Sequence, residues 1–83
     1  MVTILLFASF RETAGRSEFQ IEAGEGNLTV ADLFAKIVLE VPQLEGLKKS
    51  ARVAVNQEYA TWDHPVHEGD EIVFFPPVSG GCA

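Results

Sequence analysis

The sequence predicts an α+β domain, a mixed sheet with one main helix packed across one face. Three observations carry that expectation. Residues 2–8, Val-Thr-Ile-Leu-Leu-Phe-Ala, and residues 71–75, Glu-Ile-Val-Phe-Phe, are the most apolar β-rich runs, and they stand near opposite ends of the chain. Between them, Val30, Leu33, Phe34, Ile37, Val38 and Val41 recur at helical spacing and form a single apolar stripe. A helix with one such stripe must bury it, and the sheet holding the first strand is the available surface.

Each element follows from local chemistry. The first run is apolar at almost every position, as in a central strand covered on both faces, or covered on one and docked on the other. Residues 10–15 make a short connection, long enough for one helical turn, ended by Gly15. Residues 17–22 alternate polar and apolar side chains, the pattern of a half-buried strand antiparallel to the first, and Gly24 and Gly26 break it. Thr29 caps the helix, and Asp32 sits near the positive end of its macrodipole. Pro42 stops the helix at or just before Val41, so it spans 29–41. Residues 42–50 read as an irregular connection, 52–56 as a short strand, Asn56-Gln57 as its turn and 58–62 as another short segment. Asp63-His64-Pro65 and Glu68-Gly69-Asp70 are turn chemistry. Pro76-Pro77 ends the last strand, because neither proline donates to a ladder. The crossover through the helix makes the first and last strands a parallel pair at the sheet centre, connected right-handedly. This is the β-grasp, or ubiquitin-like, arrangement: a domain over residues 1–77 and a flexible tail over 78–83.

Composition narrows the function. With 83 residues the chain holds one domain with a modest core and little room for an enclosed active site. A function carried by the surface or by a terminus is favoured. The apolar fraction of 47 % is ordinary for a globular domain. No apolar run approaches the ~18 residues of a membrane span. The opening run has no basic region before it and no small-residue cleavage site after it, so it reads as a strand rather than a signal peptide. The net charge of −6 argues against nucleic acid and against anionic membrane surfaces. It either favours a partner with a basic docking surface or only keeps the domain soluble. Cys82 is the sole cysteine, which excludes an intrachain disulfide and fits a reducing cytoplasm.

Few side chains suggest chemistry of their own. His64 and His67 lie among Asp63, Glu68 and Asp70, but on loops without a fixed face and far from the thiol, so they read as a solvated acidic turn and not as metal ligands. Lys48-Lys49 is too short a basic run to mark a binding site, and neither a catalytic triad nor a phosphate-binding loop is present. Ser79-Gly80-Gly81 is different. Glycine lacks a Cβ, so such a tail is thin enough to enter a narrow tunnel in another protein. Pro76-Pro77 keeps the preceding segment from pairing or folding back. From residue 77 to residue 81 the extended chain reaches on the order of 13–14 Å. A carboxylate at its end is a transferable acyl group once activated.

The run from Glu68 to Gly81, with Phe74-Phe75-Pro76-Pro77-Val78-Ser79-Gly80-Gly81 as its most specific part, resembles the C-terminus of the small subunits of molybdopterin synthase. Asp63-His64-Pro65, Val55-Asn56-Gln57, Leu6-Phe7-Ala8 and Arg11-Glu12 extend the likeness over most of the chain. The wider family includes the sulfur carriers of thiamine biosynthesis, which are less similar at the Phe-Phe-Pro-Pro stretch. The resemblance implies a sulfur carrier with no permanently bound cofactor. An E1-like activating enzyme adenylates the terminal glycine with ATP, and a sulfur donor converts it to a thiocarboxylate. The tail then enters the large synthase subunit and delivers sulfur to cyclic pyranopterin monophosphate. Gly81 matches the terminal glycine, and Ser79, Gly80 and Gly81 the inserted tail.

Cys82 and Ala83 depart from that pattern, because they place the Gly81 carbonyl in a peptide bond. Removal of both residues by a protease would free it. The alternatives are that no processing occurs, or that Cys82 itself carries sulfur as a persulfide. One helix covers only one face of the sheet, so in each central strand alternate residues point the other way, which makes Phe7, Phe74 and Phe75 informative. An aromatic on the open face is costly to leave wet unless a partner covers it. The resemblance places Phe7, Tyr59 and Phe75 on a partner-docking face with Arg11 at its rim; ordinary core positions are the alternative. A carrier for another pathway (thiamine, cysteine or a thio-acid metabolite) and a ubiquitin-fold binding module without sulfur chemistry are the rival functions.

Overall fold

The computed structural model describes residues 1–22, 24 and 28–77. Gly26 and the expected tail, with Ser79, Gly80, Gly81, Cys82 and Ala83, lie outside the described residues. In chain order the elements are β1 (Val2–Leu6), α1 (Ser9–Ala14), β2 (Glu18–Ile21), α2 (Val30–Glu40), a 3₁₀ helix (Pro42–Ser50), β3 (Arg52–Val55), β4 (Glu58–Ala60) and β5 (Glu71–Phe75). The sheet order is β2-β1-β5-β3-β4. β1 and β5 form the parallel central pair, with Ile4 opposite Ile72 and Leu6 opposite Phe74. β2 is antiparallel to β1, β3 to β5, and β4 to β3.

α2 forms where the apolar stripe placed it, because both of its ends are defined. The Thr29 hydroxyl accepts from the Asp32 N–H, and the Asp32 carboxylate accepts from the Thr29 N–H, a reciprocal capping box. The next two free donors, Val30 N–H and Ala31 N–H, reach the carbonyls of His64 at 3.0 Å and Trp62 at 2.9 Å. Val41 caps the C-terminal end, directly before Pro42. Val30, Leu33, Phe34 and Ile37 are buried against Val2, Ile4 and Leu6 of β1, Ile72 and Phe74 of β5, and Val53 and Val55 of β3, while Val38 and Val41 are partly buried at the margin.

Three expectations need correction. Residues 42–50 are not irregular: they form a continuous 3₁₀ helix, started by Pro42 and anchored by the fully buried Leu44. The segment after the β3–β4 turn pairs only as far as Ala60, and Trp62 leaves the sheet to pack edge-on to Phe34 and stacked on Phe74, at centroid distances of 5.3 and 5.9 Å. The stretch that follows is more than solvated turn. Val66 is buried, its N–H donates to the Leu28 carbonyl at 2.9 Å, and Pro65 bridges to Thr29. This stretch therefore closes over the start of α2. At the β3–β4 turn, Asn56 and Gln57 both adopt positive φ, 52° and 74°, the signs a two-residue type I′ hairpin requires.

Candidate functional site

Because strand side chains alternate, the residues between the buried ones form a second face. Its registers run straight across the sheet: Glu18 opposite Leu5, Leu5 opposite Val73, Val73 opposite Ala54, and Ala54 opposite Tyr59. One step toward the start of β5 the row is polar, with Gln20, Thr3 and Glu71. One step toward its end, Phe75 stands opposite Arg52, and the Phe7 N–H donates to the Phe74 carbonyl at 3.2 Å, setting Phe7 beside Phe75. Apolar character therefore rises toward the end at which Pro76 and Pro77 lead away from the sheet.

Leu5, Ala54, Val73 and Phe75 stay partly exposed on this face, while Phe7 and Tyr59 are 53 % and 80 % exposed. The Tyr59 and Phe75 rings approach to 6.0 Å between centroids. The structure thus brings Phe7, Tyr59 and Phe75 to one face. Phe74 belongs to the opposite one and is fully buried beneath α2.

The chain bends sharply just after Phe7. Ala8 has φ 54° and ψ −125°, a region that costs an L-residue on the order of 1–3 kcal/mol. That bend ends β1, starts α1 and sends Phe10 into the core. Arg11 is exposed on α1, one turn beyond Phe7, and Gly15 closes the helix in the left-handed conformation, φ 75°. Arg11 thus sits at the same end of the sheet as the aromatic residues.

Sequence reasoning missed the groove beside this face. Arg52, Thr61 and Trp62 line it together with Tyr59 and Phe75. Its residues come from three strand ends, so only the register reveals that they meet. The lone tryptophan was the available signal, and it sits two residues past the last pairing of β4.

At the far end of the sheet, the Asp70 carboxylate accepts from Asn56 Nδ2 at 3.0 Å and from the His67 N–H at 2.8 Å. Asn56 Oδ1 in turn accepts from the Glu71 N–H at 3.0 Å. Burial alone would raise the Asp70 carboxyl, but the Asn56 and His67 hydrogen bonds and the charges of His67 and His64 outweigh it and hold the group below the usual carboxylate range. The Glu68 carboxylate pairs with the Met1 ammonium group. Among the described residues no group of three His, Cys, Asp or Glu side chains is arranged to hold a metal ion. These contacts clip the β3–β4 turn to the start of β5. Among the described residues, no helix is long and apolar enough to cross a membrane.

Comparisons with known proteins bear on the fold and the family of the chain. The ThiS family model matches residues 4–81 and so ends at Gly81, leaving Cys82 and Ala83 beyond it. The molybdopterin synthase sulfur carrier subunit of Chlamydomonas reinhardtii is 39 % identical over 82 residues, covering 96 % of this chain and 98 % of that protein. The subunit of the same name from Escherichia coli is 38 % identical over 85 residues, covering 98 % and 100 %. Among solved structures, small archaeal modifier protein 1 from Haloferax volcanii superposes with a TM-score of 0.82 at 33 % identity, covering 96 % of this chain and 98 % of that one. A chain from the complex of subunits 1 and 2 of the molybdopterin-converting factor of Helicobacter pylori superposes with a TM-score of 0.65 at 26 % identity, covering 96 % and 97 %. The β-grasp sheet, the near full-length relatives and the match that stops at the second glycine lead to one conclusion: the chain belongs to the ThiS family.

Proposed function

We propose that this chain is the sulfur-carrier subunit of a molybdopterin synthase and works through the carboxyl group of Gly81. The observation that carries this reading is the near full-length likeness to sulfur carrier subunits of that enzyme, with a family match that stops at Gly81. The open face supplies the docking surface: Phe7, Tyr59 and Phe75 enter the large subunit's apolar surface, and Arg11 binds at the rim. Docking at that end of the sheet leads Ser79, Gly80 and Gly81 into the partner's active site, where a chain without Cβ atoms at its last two positions passes a narrow channel.

The chemistry begins with hydrolysis of the peptide bond after Gly81 by a trimming protease, which releases Cys82-Ala83 and frees the carboxylate. That carboxylate attacks the α-phosphate of ATP on the activating enzyme, pyrophosphate leaves, and an acyl-adenylate forms. Hydrosulfide released by the donor then attacks the acyl carbon, the bond to AMP breaks, and a thiocarboxylate is left. The large subunit brings the terminal sulfur against cyclic pyranopterin monophosphate. The carrier holds no resident cofactor, and the cytoplasm is its compartment. Its own part is positioning: a rigid sheet fixes the root of the tail, which confines the reacting group.

The test compares full-length protein, protein ending at Gly81 and full-length Cys82→Ser, each with and without cell extract, in a sulfur-transfer assay. The reading predicts transfer by the form ending at Gly81 with purified components, and transfer by both longer forms only with extract. Transfer by purified full-length protein that is lost in Cys82→Ser would establish the persulfide route instead. The likeness to small archaeal modifier protein 1 favours a second reading, in which the same activated terminus modifies other proteins. Protein adducts of higher mass in place of the thiocarboxylate would distinguish it.

A further inference from the structure

The charge of this chain is polarised along the sheet. Five of its six Lys and Arg residues lie on segments at the end where the tail begins. Arg52 stands opposite Phe75, and the Lys48 ammonium group lies 5.6 Å from the Trp62 ring centroid. Lys49 is exposed on the 3₁₀ helix that leads into β3. Arg11 is on α1, and Arg16 precedes Ser17, whose carbonyl accepts from the Leu6 N–H at the end of β1. None of the five forms an ion pair with a described residue. Glu12, Glu18, Glu45 and Asp63 are the acids on the same segments, so these segments carry five cations against four acids in a chain of net charge −6. The opposite end, at the starts of β1 and β5 and the β3–β4 turn, carries Glu22, Glu58, Glu68, Asp70 and Glu71 with the Met1 ammonium group paired to Glu68, and no Lys or Arg.

Charges further apart than the Debye length, about 10 Å at 0.1 M salt, are largely screened, so a partner at the tail end responds to the local sign and not to the net charge. We propose that the groove beside the tail root, with Arg52, Trp62, Tyr59 and Phe75 in its lining and Lys48 beside Trp62, receives an acidic segment of the large subunit. The basic end then faces a carboxylate-bearing rim, while the acidic end stays in solvent. This reverses the basic docking surface suggested by the net charge alone. The same polarity turns the chain tail-first during encounter, because charge separated along a molecule orients it in a partner's field. The proposal rests on the sulfur-carrier reading, which supplies the partner.

The experiment measures association rates between the full chain and the large synthase subunit by stopped flow, at low and at high salt. Arg52→Glu and Lys49→Glu reverse charge at the tail end, and Glu22→Lys and Glu58→Lys reverse it at the far end. Thermal melting confirms that each variant is folded, and Lys49, outside the sheet, keeps the test available if Arg52→Glu is not. The tail-end reversals should slow association about 10-fold at low salt, with the difference closing at high salt, and the far-end reversals should change it by less than about 2-fold. Unchanged or faster association by the tail-end variants would overturn the proposal and leave the sulfur-carrier reading standing. Failure of the wild-type chain to associate at all would overturn both.

Discussion

On β5, Ile72 and Phe74 point under α2 and are fully buried, while Val73 and Phe75, one residue along, stay partly exposed. On β1, Ile4 and Leu6 are buried and Leu5 and Phe7 are not. The two faces are made by the same strands: the covered one is apolar throughout, whereas the open one is polar toward the start of β5 and apolar only toward its end, where this chain supplies no cover. A single helix satisfies one face. The other keeps apolar surface that would gain roughly 25 cal/mol per Å² on being covered. On the proposed reading, the covered face sets stability and the open face sets recognition.

Substitutions should keep that separation or break it. The largest effect is expected on the covered face: Leu33→Ala or Ile37→Ala should cost about 2–5 kcal/mol in denaturant unfolding, because each removes a fully buried side chain and leaves a cavity. A cost near zero would mean that the helix face is not the core. On the open face, Phe75→Ala and Phe7→Ala should each weaken binding to the large subunit by about 2 kcal/mol in calorimetric titration, with little loss of stability. Unfolding of both variants would move these residues to the core and abolish the contrast.

Smaller effects lie at the far end of the sheet. Asn56→Ala removes the hydrogen bonds to Asp70 and from the Glu71 N–H and places alanine at a φ of 52°, and should cost about 2 kcal/mol near neutral pH. The Asp70 carboxyl is lowered in the folded chain from its ordinary value of 3.8. Its contribution is therefore fully present above that value and lost as pH falls through the lower, folded one. An acid titration of stability should show a shallower fall in Asn56→Ala, since the carboxylate then has less to lose; an identical acid limb would exclude Asp70 as its source. The smallest effect is a gain. Gln57→Gly should stabilise the fold by up to about 1 kcal/mol, since Gln57 holds a φ of 74° that glycine adopts without strain.

What the sequence disclosed depended on how local the signal was. The helix, its cap at Thr29 and the prolines that end α2 and β5 are chemistry within a few residues, and the structure has them where the pattern placed them. Phe7, Tyr59 and Phe75 were assigned by resemblance, and the pleat then set them together on one face. Val66 was invisible because a single apolar residue in a polar stretch has no period, and Leu44 and Leu47 are too few to mark a helix; the packing of the 3₁₀ helix on α1 and α2 makes Leu44 core. Trp62, Arg52 and the charge polarity depend on registers between strands far apart in the chain, which local pattern does not encode. The net charge sums two ends that the fold keeps apart, so it does not disclose how the charge is distributed.

The central claim is that this fold exists to present the carboxyl group of Gly81 for sulfur chemistry. The most direct test is the intact mass of the chain ending at Gly81 after incubation with the activating enzyme, ATP and a sulfur donor. The account predicts a species heavier by the difference between one sulfur and one oxygen atom, located to the terminal residue by fragmentation and absent when ATP is omitted. An unchanged mass, under conditions in which the same enzyme and donor convert an established sulfur carrier, would contradict it.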